Sequence, residues 1–343
     1  MRLQTQVAPL PLHHVAAMSD GRGLFEHAKA DQPRLEHGYC TDDVARGLTA
    51  MVREPEQSDV TRRLAEVYLR FVEEAVAPDG AVHNRMNVEG RWTDRPDTRD
   101  WWGRAIAGLG AVVRFSDNDA LRVRALAAFE RAAQQRSGFV RSSAFAAVGA
   151  AHVLTAMPEH RAARYLVLDC LEVLPQQPAP GWGWIEPRLR YANATLAEAL
   201  IRAGTVLSHS TIRDRGLAAL EALCLIETAP EGWLSLTGVD GRRPGQWAVQ
   251  FDQQPIEANA IAEAALAAWY VTGDDHWGRE VERAWAWFLG SNDAGIVMID
   301  PEAGAGFDGL KPEGRNENRG AESTLAALAT NQCMRILAEG LRR

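Results

Sequence analysis

Carboxylates, amides and aromatic side chains recur at one kind of position in this sequence, at or just before the start of an amphipathic run. The stretch "GYCTDDVARGL" sets Tyr39, Asp42 and Asp43 there, and "TRDWWGRAIAGLG" sets Asp100, Trp101, Trp102 and Arg104. Trp184, Glu186, Tyr191 and Asn193 come from "WGWIEPRLRYANATLAEALIRAG", where a plain Ala192 stands between the last two. Gln254 and Glu257 come from "FDQQPIEANAIAEAAL", while Asp308, Asn318 and Glu322 lie in or after the Gly-rich "DPEAGAGFDGLKPEGRNENRGAEST". Asp, Ser and Asn are preferred helix caps and Glu favours a first turn, so each residue alone has a structural explanation. Capping does not explain the adjoining tryptophans, tyrosines, amides and arginine.

A sugar ring offers an apolar face to aromatic planes and hydroxyls to carboxylates and amides, so this assortment suits carbohydrate. Glycoside hydrolysis is usually run by two carboxyl groups, one protonating the leaving oxygen and the other activating water or attacking the anomeric carbon. Asp43 and Asp100 are the acid and base candidates, without assigned order, and Glu257 and Glu322 are further carboxylate candidates. Tyr39, Asp42, Trp101, Trp102, Arg104, Trp184, Glu186, Tyr191, Asn193, Gln254, Asp308 and Asn318 are expected to bind substrate. A histidine or tyrosine base beside an acid would instead suit a sugar epimerase or lyase, and His37 is the histidine that the sequence sets in an evident mouth loop.

The elements that must position these groups are helical. Apolar residues recur at helical spacing near 42–53, 59–77, 101–116, 119–135, 142–156, 159–174, 192–207, 210–226, 256–272, 275–290 and 320–340, with a further short helix around 10–18. Breaks alternate between short ("FSDND", "MPEH", "LSHS", "VTGDDH") and long (about 78–100, 175–190, 227–255 and 291–319). That rhythm describes helical hairpins, and six of them make an (α/α)6 toroid in a single all-α domain spanning 1–343. If the first helix of each hairpin belongs to the inner ring, the long loops share one end. The inner-helix N-termini, with their unsatisfied N–H groups, then surround a cavity there.

Composition excludes several other classes. A net charge of −8 without a basic run disfavours nucleic acid. Cys40, Cys170, Cys224 and Cys333 are scattered with no C-x-x-C pair, which reads as free thiols in a reducing, cytoplasmic compartment. No run reaches the length of a membrane span. Nucleotide, P-loop, serine-elbow and zinc-protease motifs are absent, and the histidines lack metal-ligand spacing, so no cofactor and no metal is expected.

Taken together, "LFEHA", "GYCTDDVARGL", "DWWGRAIAGLG", "WGWIEPRLRYANATLAEALIRAG", "QPIEANAIAEAALAAWYVTGDDHW" and "NENRGAEST" resemble the bacterial six-hairpin glycosidase-like family. Its members occur alone or fused behind glycosyltransferase domains. The resemblance implies an (α/α)6 barrel, a carbohydrate-related role on an oligosaccharide or glycoconjugate and a functional link to a glycosyltransferase. It does not imply a settled reaction, since the superfamily spans hydrolases, phosphorylases, lyases and epimerases; the carboxylates favour a two-carboxylate hydrolysis, with inversion as the superfamily expectation. It also implies an acidic residue where this chain has Ala192, which gives the chain the pattern of an acid-to-alanine inactivated form, or of a non-catalytic glycan-binding domain.

Overall fold

A computed structural model describes residues 7–341. A short helix, α1 (His13–Ala17), precedes five hairpins: α2 (Thr41–Arg53) with α3 (Asp59–Ala75), α4 (Asp100–Phe115) with α5 (Asp119–Ala132), α6 (Val140–Ala156) with α7 (Arg161–Val173), α8 (Ala194–Val206) with α9 (Ser210–Ile226), and α10 (Pro255–Thr272) with α11 (Asp275–Phe288). The last helix is α12 (Ala321–Gly340). The even-numbered helices pack side by side in sequence, and α12 packs back on α2, so the inner ring closes. The odd-numbered helices form the outer layer, and α1 and α11 both lie against α12. This is the expected (α/α)6 toroid, with the short N-terminal helix in place of a full sixth partner. Among the described residues no helix is long and apolar enough to cross a membrane.

The division into layers follows from the side chains. Inner helices are apolar nearly all round: α6 buries fourteen consecutive residues, Arg141 to Leu154, as a helix surrounded by protein must. Outer helices such as α3 keep one buried stripe, Leu64, Tyr68, Phe71 and Val72 among it, and leave the opposite face to solvent. The tightest contact is between α4 and α6, where a side chain at Gly110 would run into the backbone of Gly149 and one at Gly149 into the carbonyl of Ile106. Hairpin starts are locally encoded: Ser58 and Thr61 form a reciprocal capping box on α3, Asn118 caps α5 and Asp274 caps α11. Pro255 opens α10, and Gly273 ends it in the left-handed region at φ 67°.

The long connectors gather at the N-terminal end of the inner ring and are tied by short antiparallel ladders. Tyr39–Cys40 pairs with Arg85–Met86, Gly309–Lys311 with Gly314–Asn316, and Gln253 bridges to Leu310. The start of α8 departs from the pattern read in the sequence: it begins at Ala194, because Ala192 turns into the left-handed region at φ 47°.

Candidate active site

The loops and inner-helix starts enclose a mouth cavity lined by Glu26, Asp42, Asp43, Asp252, Asp308 and Glu322, six carboxyl groups on one wall system. Arg46, Arg85, His27 and Gln254 share it. The first turn of α2 supplies the pair at its centre. Asp43 is 3% exposed, and its Oδ1 accepts from Arg46 Nη1 at 2.5 Å, one turn along the helix. The other arm of the same guanidinium pairs with Glu322 Oε2 at 2.8 Å, so Arg46 spans from α2 to α12 and holds the two carboxylates one guanidinium apart. Glu26 stands behind Asp43, with acceptor atoms of Glu26, Asp43 and the Cys40 sulfur all within 4.8 Å, and is itself engaged by Arg85.

Burial is the dominant electrostatic fact. Loss of solvent pushes the Asp43 carboxyl up to about 7 against the opposing charge of Arg46, with Glu322, Glu26 and Asp42 adding to the rise. Asp42, Asp308 and Asp252 are also raised, chiefly by desolvation. Asp43 is thus a carboxyl that holds a proton near neutral pH and lies in a cavity wall, the combination that suits a general acid.

Several expected residues converge here and others do not. Asp42, Asp43, Gln254, Asp308 and Glu322 line the mouth. Asp100 sits half-buried on the same rim, raised by burial and by Asp42. Tyr191 lies 36% exposed over an adjoining groove that Gln254 and Glu257 also line. Arg104 and Ala192 face the barrel lumen below the mouth. Asn318 uses its amide oxygen to accept from the Ala30 N–H at 3.0 Å and so anchors a loop.

The aromatic platforms expected at the helix starts are for the most part core. Trp102 and Trp184 are fully buried, and Trp102 donates to the Ala132 carbonyl at 3.1 Å. Tyr39 is 1% exposed, stacks on Phe25 and donates to Asp20 at 2.6 Å. Trp101 donates to the Val82 carbonyl at 2.7 Å. The large apolar areas of Tyr39, Trp102 and Trp184 are worth more under the loops than beside a polar ligand, so these three hold the mouth in shape and offer no open face, whereas Trp101 is half-buried against the core.

Glu257 likewise has a different occupation from the one expected. Its two oxygens accept from Ala192 N–H at 2.5 Å, Asn193 N–H at 3.3 Å and Asn193 Nδ2 at 3.1 Å. Asn193 Oδ1 in turn accepts from Arg141 at 3.1 Å, and Arg141 also pairs with Glu186 at 2.7 Å. This buried network holds the left-handed residue 192 at the entrance of α8. Burial and the like charge of Glu227 push Glu257 up to about 8, against its backbone donors.

Arg46, Glu26, His27, Arg85 and Asp252 escaped the sequence reading. Arg46 had a visible signal, three residues after Asp43 on the same helix face. Glu26 and His27 fall in a loop with no periodicity, and only the tertiary fold carries them to the mouth. His27 corrects the view of His37 as the mouth histidine: the two rings meet edge to face at 4.9 Å, and His27 lies 3.6 Å from Glu26.

No family model matches the sequence, and no curated protein sequence matches it. Solved structures do. A sugar epimerase from a ruminal bacterium superposes with a TM-score of 0.74 at 12% identity, covering 98% of each chain. The cellobiose 2-epimerase of Spirochaeta thermophila gives 0.73 at 11% identity, over 99% of this chain and 96% of that one. An inactive variant of the α-1,6-mannanase of Salegentibacter sp., with two neighbouring aspartates changed to alanine and α-1,6-mannotetrose bound, gives 0.64 at 11% identity over 95% and 96%. The chain therefore has the (α/α)6 toroid fold of these structures, and at such identities the fold is what the likeness shows.

Proposed function

We propose that this chain is a sugar-processing enzyme that works by carboxyl acid–base chemistry in the mouth of the toroid, and that its reaction is hydrolysis of a glycosidic bond. The observation that carries this reading is Asp43, a buried carboxyl pushed to about 7 in the wall of a cavity otherwise rich in carboxylates. In the proposed step Asp43 gives its proton to the leaving glycosidic oxygen as the C–O bond breaks. Water attacks the anomeric carbon and loses its proton to Glu322, which is open to the cavity on the neighbouring helix α12. Arg46 positions both carboxylates. The mannanase of the same fold gives this support: replacing its two neighbouring aspartates yields an inactive variant, and Asp42–Asp43 is likewise an adjacent pair.

A second reading, epimerisation or isomerisation, draws on His27. A histidine beside Glu26 on the cavity wall is a suitable base for a proton next to a sugar carbonyl, and the epimerases superpose over nearly the whole chain. One experiment separates the two. The chain and its Ala192→Asp variant are incubated with cellobiose, α-1,6-mannobiose, α-1,6-mannotetrose, D-mannose and D-glucose in deuterated and in ¹⁸O-labelled water. Hydrolysis puts ¹⁸O at a new reducing end and is lost about a hundredfold or more in Asp43→Asn. Epimerisation puts deuterium on a sugar carbon and is lost in His27→Asn instead. Turnover confined to Ala192→Asp assigns a required acid to that position, and binding without turnover by either form refutes the enzyme reading.

A further inference from the structure

Below the mouth the inner ring encloses a second cavity, which adjoins the first across the ion-paired Arg46 and Glu322 that line both. Alanines make the space: Ala50, Ala107, Ala260, Ala326 and Ala329 come from four of the six inner helices, and Ala192 from the turn that leads into α8. As traced by water centres its volume is about 110 Å³, room for several waters and so the scale of one sugar ring. The cavity is blind. Arg53, at the far end of α2, crosses to Glu263 of α10 at 2.6 Å and to Gln332 and the Ala329 carbonyl of α12, both at 3.2 Å. On the other side Glu198 is tied to Arg202 at 2.6 Å and His152 to Arg114 at 3.0 Å. These groups, spent on one another, form the floor.

The wall above the floor is differently equipped. The Arg104 guanidinium lies flat on the Phe145 ring, 3.5 Å from its centroid. Its nearest carboxylate oxygen, on Asp42, is 3.8 Å from Nε, and that buried Nε has no hydrogen-bond partner. Burial draws Arg104 down to about 9, with the like charge of Arg46 second. Stacking fixes the plane of the guanidinium and closes Nε off from the cavity, while its terminal nitrogens, with no hydrogen-bond partner among the described residues, line the lumen as donors for a ligand oxygen.

We propose, building on the sugar-processing reading, that this blind lumen is the subsite for one terminal sugar unit, with Arg104 donating to its oxygens, so that the chain acts at the end of a glycan and not within it. A polymer cannot thread a closed floor, and the reacting bond then lies at the level of Asp43 and Glu322, where lumen meets mouth.

The test reads binding and product pattern separately. D-glucose, D-mannose and D-galactose are titrated calorimetrically into the chain, into Ala107→Leu, which fills the lumen from mid-α4, and into Ala329→Val, which fills it from α12. Circular dichroism checks that each variant is folded. The proposal expects at least one sugar to bind one to one, with at least tenfold weaker binding in both lumen variants. It also expects any oligosaccharide that is turned over to release or convert a terminal unit first. Internal fragments appearing first, or single-sugar binding indifferent to Ala107→Leu and Ala329→Val, or no single-sugar binding at all, overturns it. Lumen-dependent binding without turnover sustains the subsite and sinks the enzyme reading instead.

Discussion

The change of Asp43 to Asn should leave this protein catalytically crippled and, above neutral pH, more stable. Asp43 is 3% exposed, and its carboxyl sits at about 7 in the folded chain against 3.8 in the ordinary case. As pH rises through the lower value, the unfolded chain gives up this proton while the folded chain keeps it. Folding stability therefore declines from there until the folded group ionises, and the full deficit is present above the higher value. At 1.36 kcal/mol per unit, the ceiling on this contribution is about 4 kcal/mol. Asparagine has no proton to lose. Its Oδ1 can still accept from Arg46, which keeps Glu322 as its second partner. The stability difference between variant and parent, from urea unfolding at about pH 4 through about pH 8, should thus shift toward the variant by up to about 4 kcal/mol as pH rises. Other titrating groups largely cancel in that difference. The parent's turnover should decline above about pH 7, as the acid loses its proton. A stability difference that is flat with pH, or one that moves against the variant, would refute the assignment of Asp43 as a buried carboxyl with a raised affinity for its proton.

Three further expectations concern the scaffold around the site. Glu257→Gln presents an NH₂ to the donors of Ala192 and Asn193, a cost of about 1–3 kcal/mol at about pH 4, but it also removes a buried carboxyl pushed up to about 8, so in urea unfolding the difference should move toward the variant as pH rises to about 8. Ala192→Gly relieves a side chain held at φ 47°, and denaturant unfolding should show a gain of about 0.5–1 kcal/mol; a loss would mean that the Cβ packs more than the backbone strains. Arg53→Met strands Glu263 and should cost about 3–5 kcal/mol, whereas Arg53→Met combined with Glu263→Leu should recover most of it, since paired apolar groups replace a buried ion pair nearly evenly. A double variant as unstable as the single one would show that Arg53 acts through Gln332 and the Ala329 carbonyl instead.

The sequence by itself determined the helical hairpins, their number and the end of the ring at which polar groups collect. Helical periodicity, capping residues and loop length are local properties, and local properties are written in neighbouring residues: Ser58 with Thr61, Asn118, Asp274, Pro255 and Gly273 each act within a few positions. The carboxyls at the start of α2 and α12 were legible for the same reason. What residue type could not tell is which members of each polar cluster face the cavity. Trp102 and Trp184 carry the chemistry of a sugar platform and lie in the core, and Glu257 has that of a catalytic acid and holds a backbone turn. Only the tertiary structure brings Glu26 and His27 from an aperiodic loop to Asp43, runs Arg46 across to Glu322, and closes the lumen with Arg53. Those are meetings of residues tens to hundreds of positions apart, fixed by ring closure, and no spacing along the chain records them.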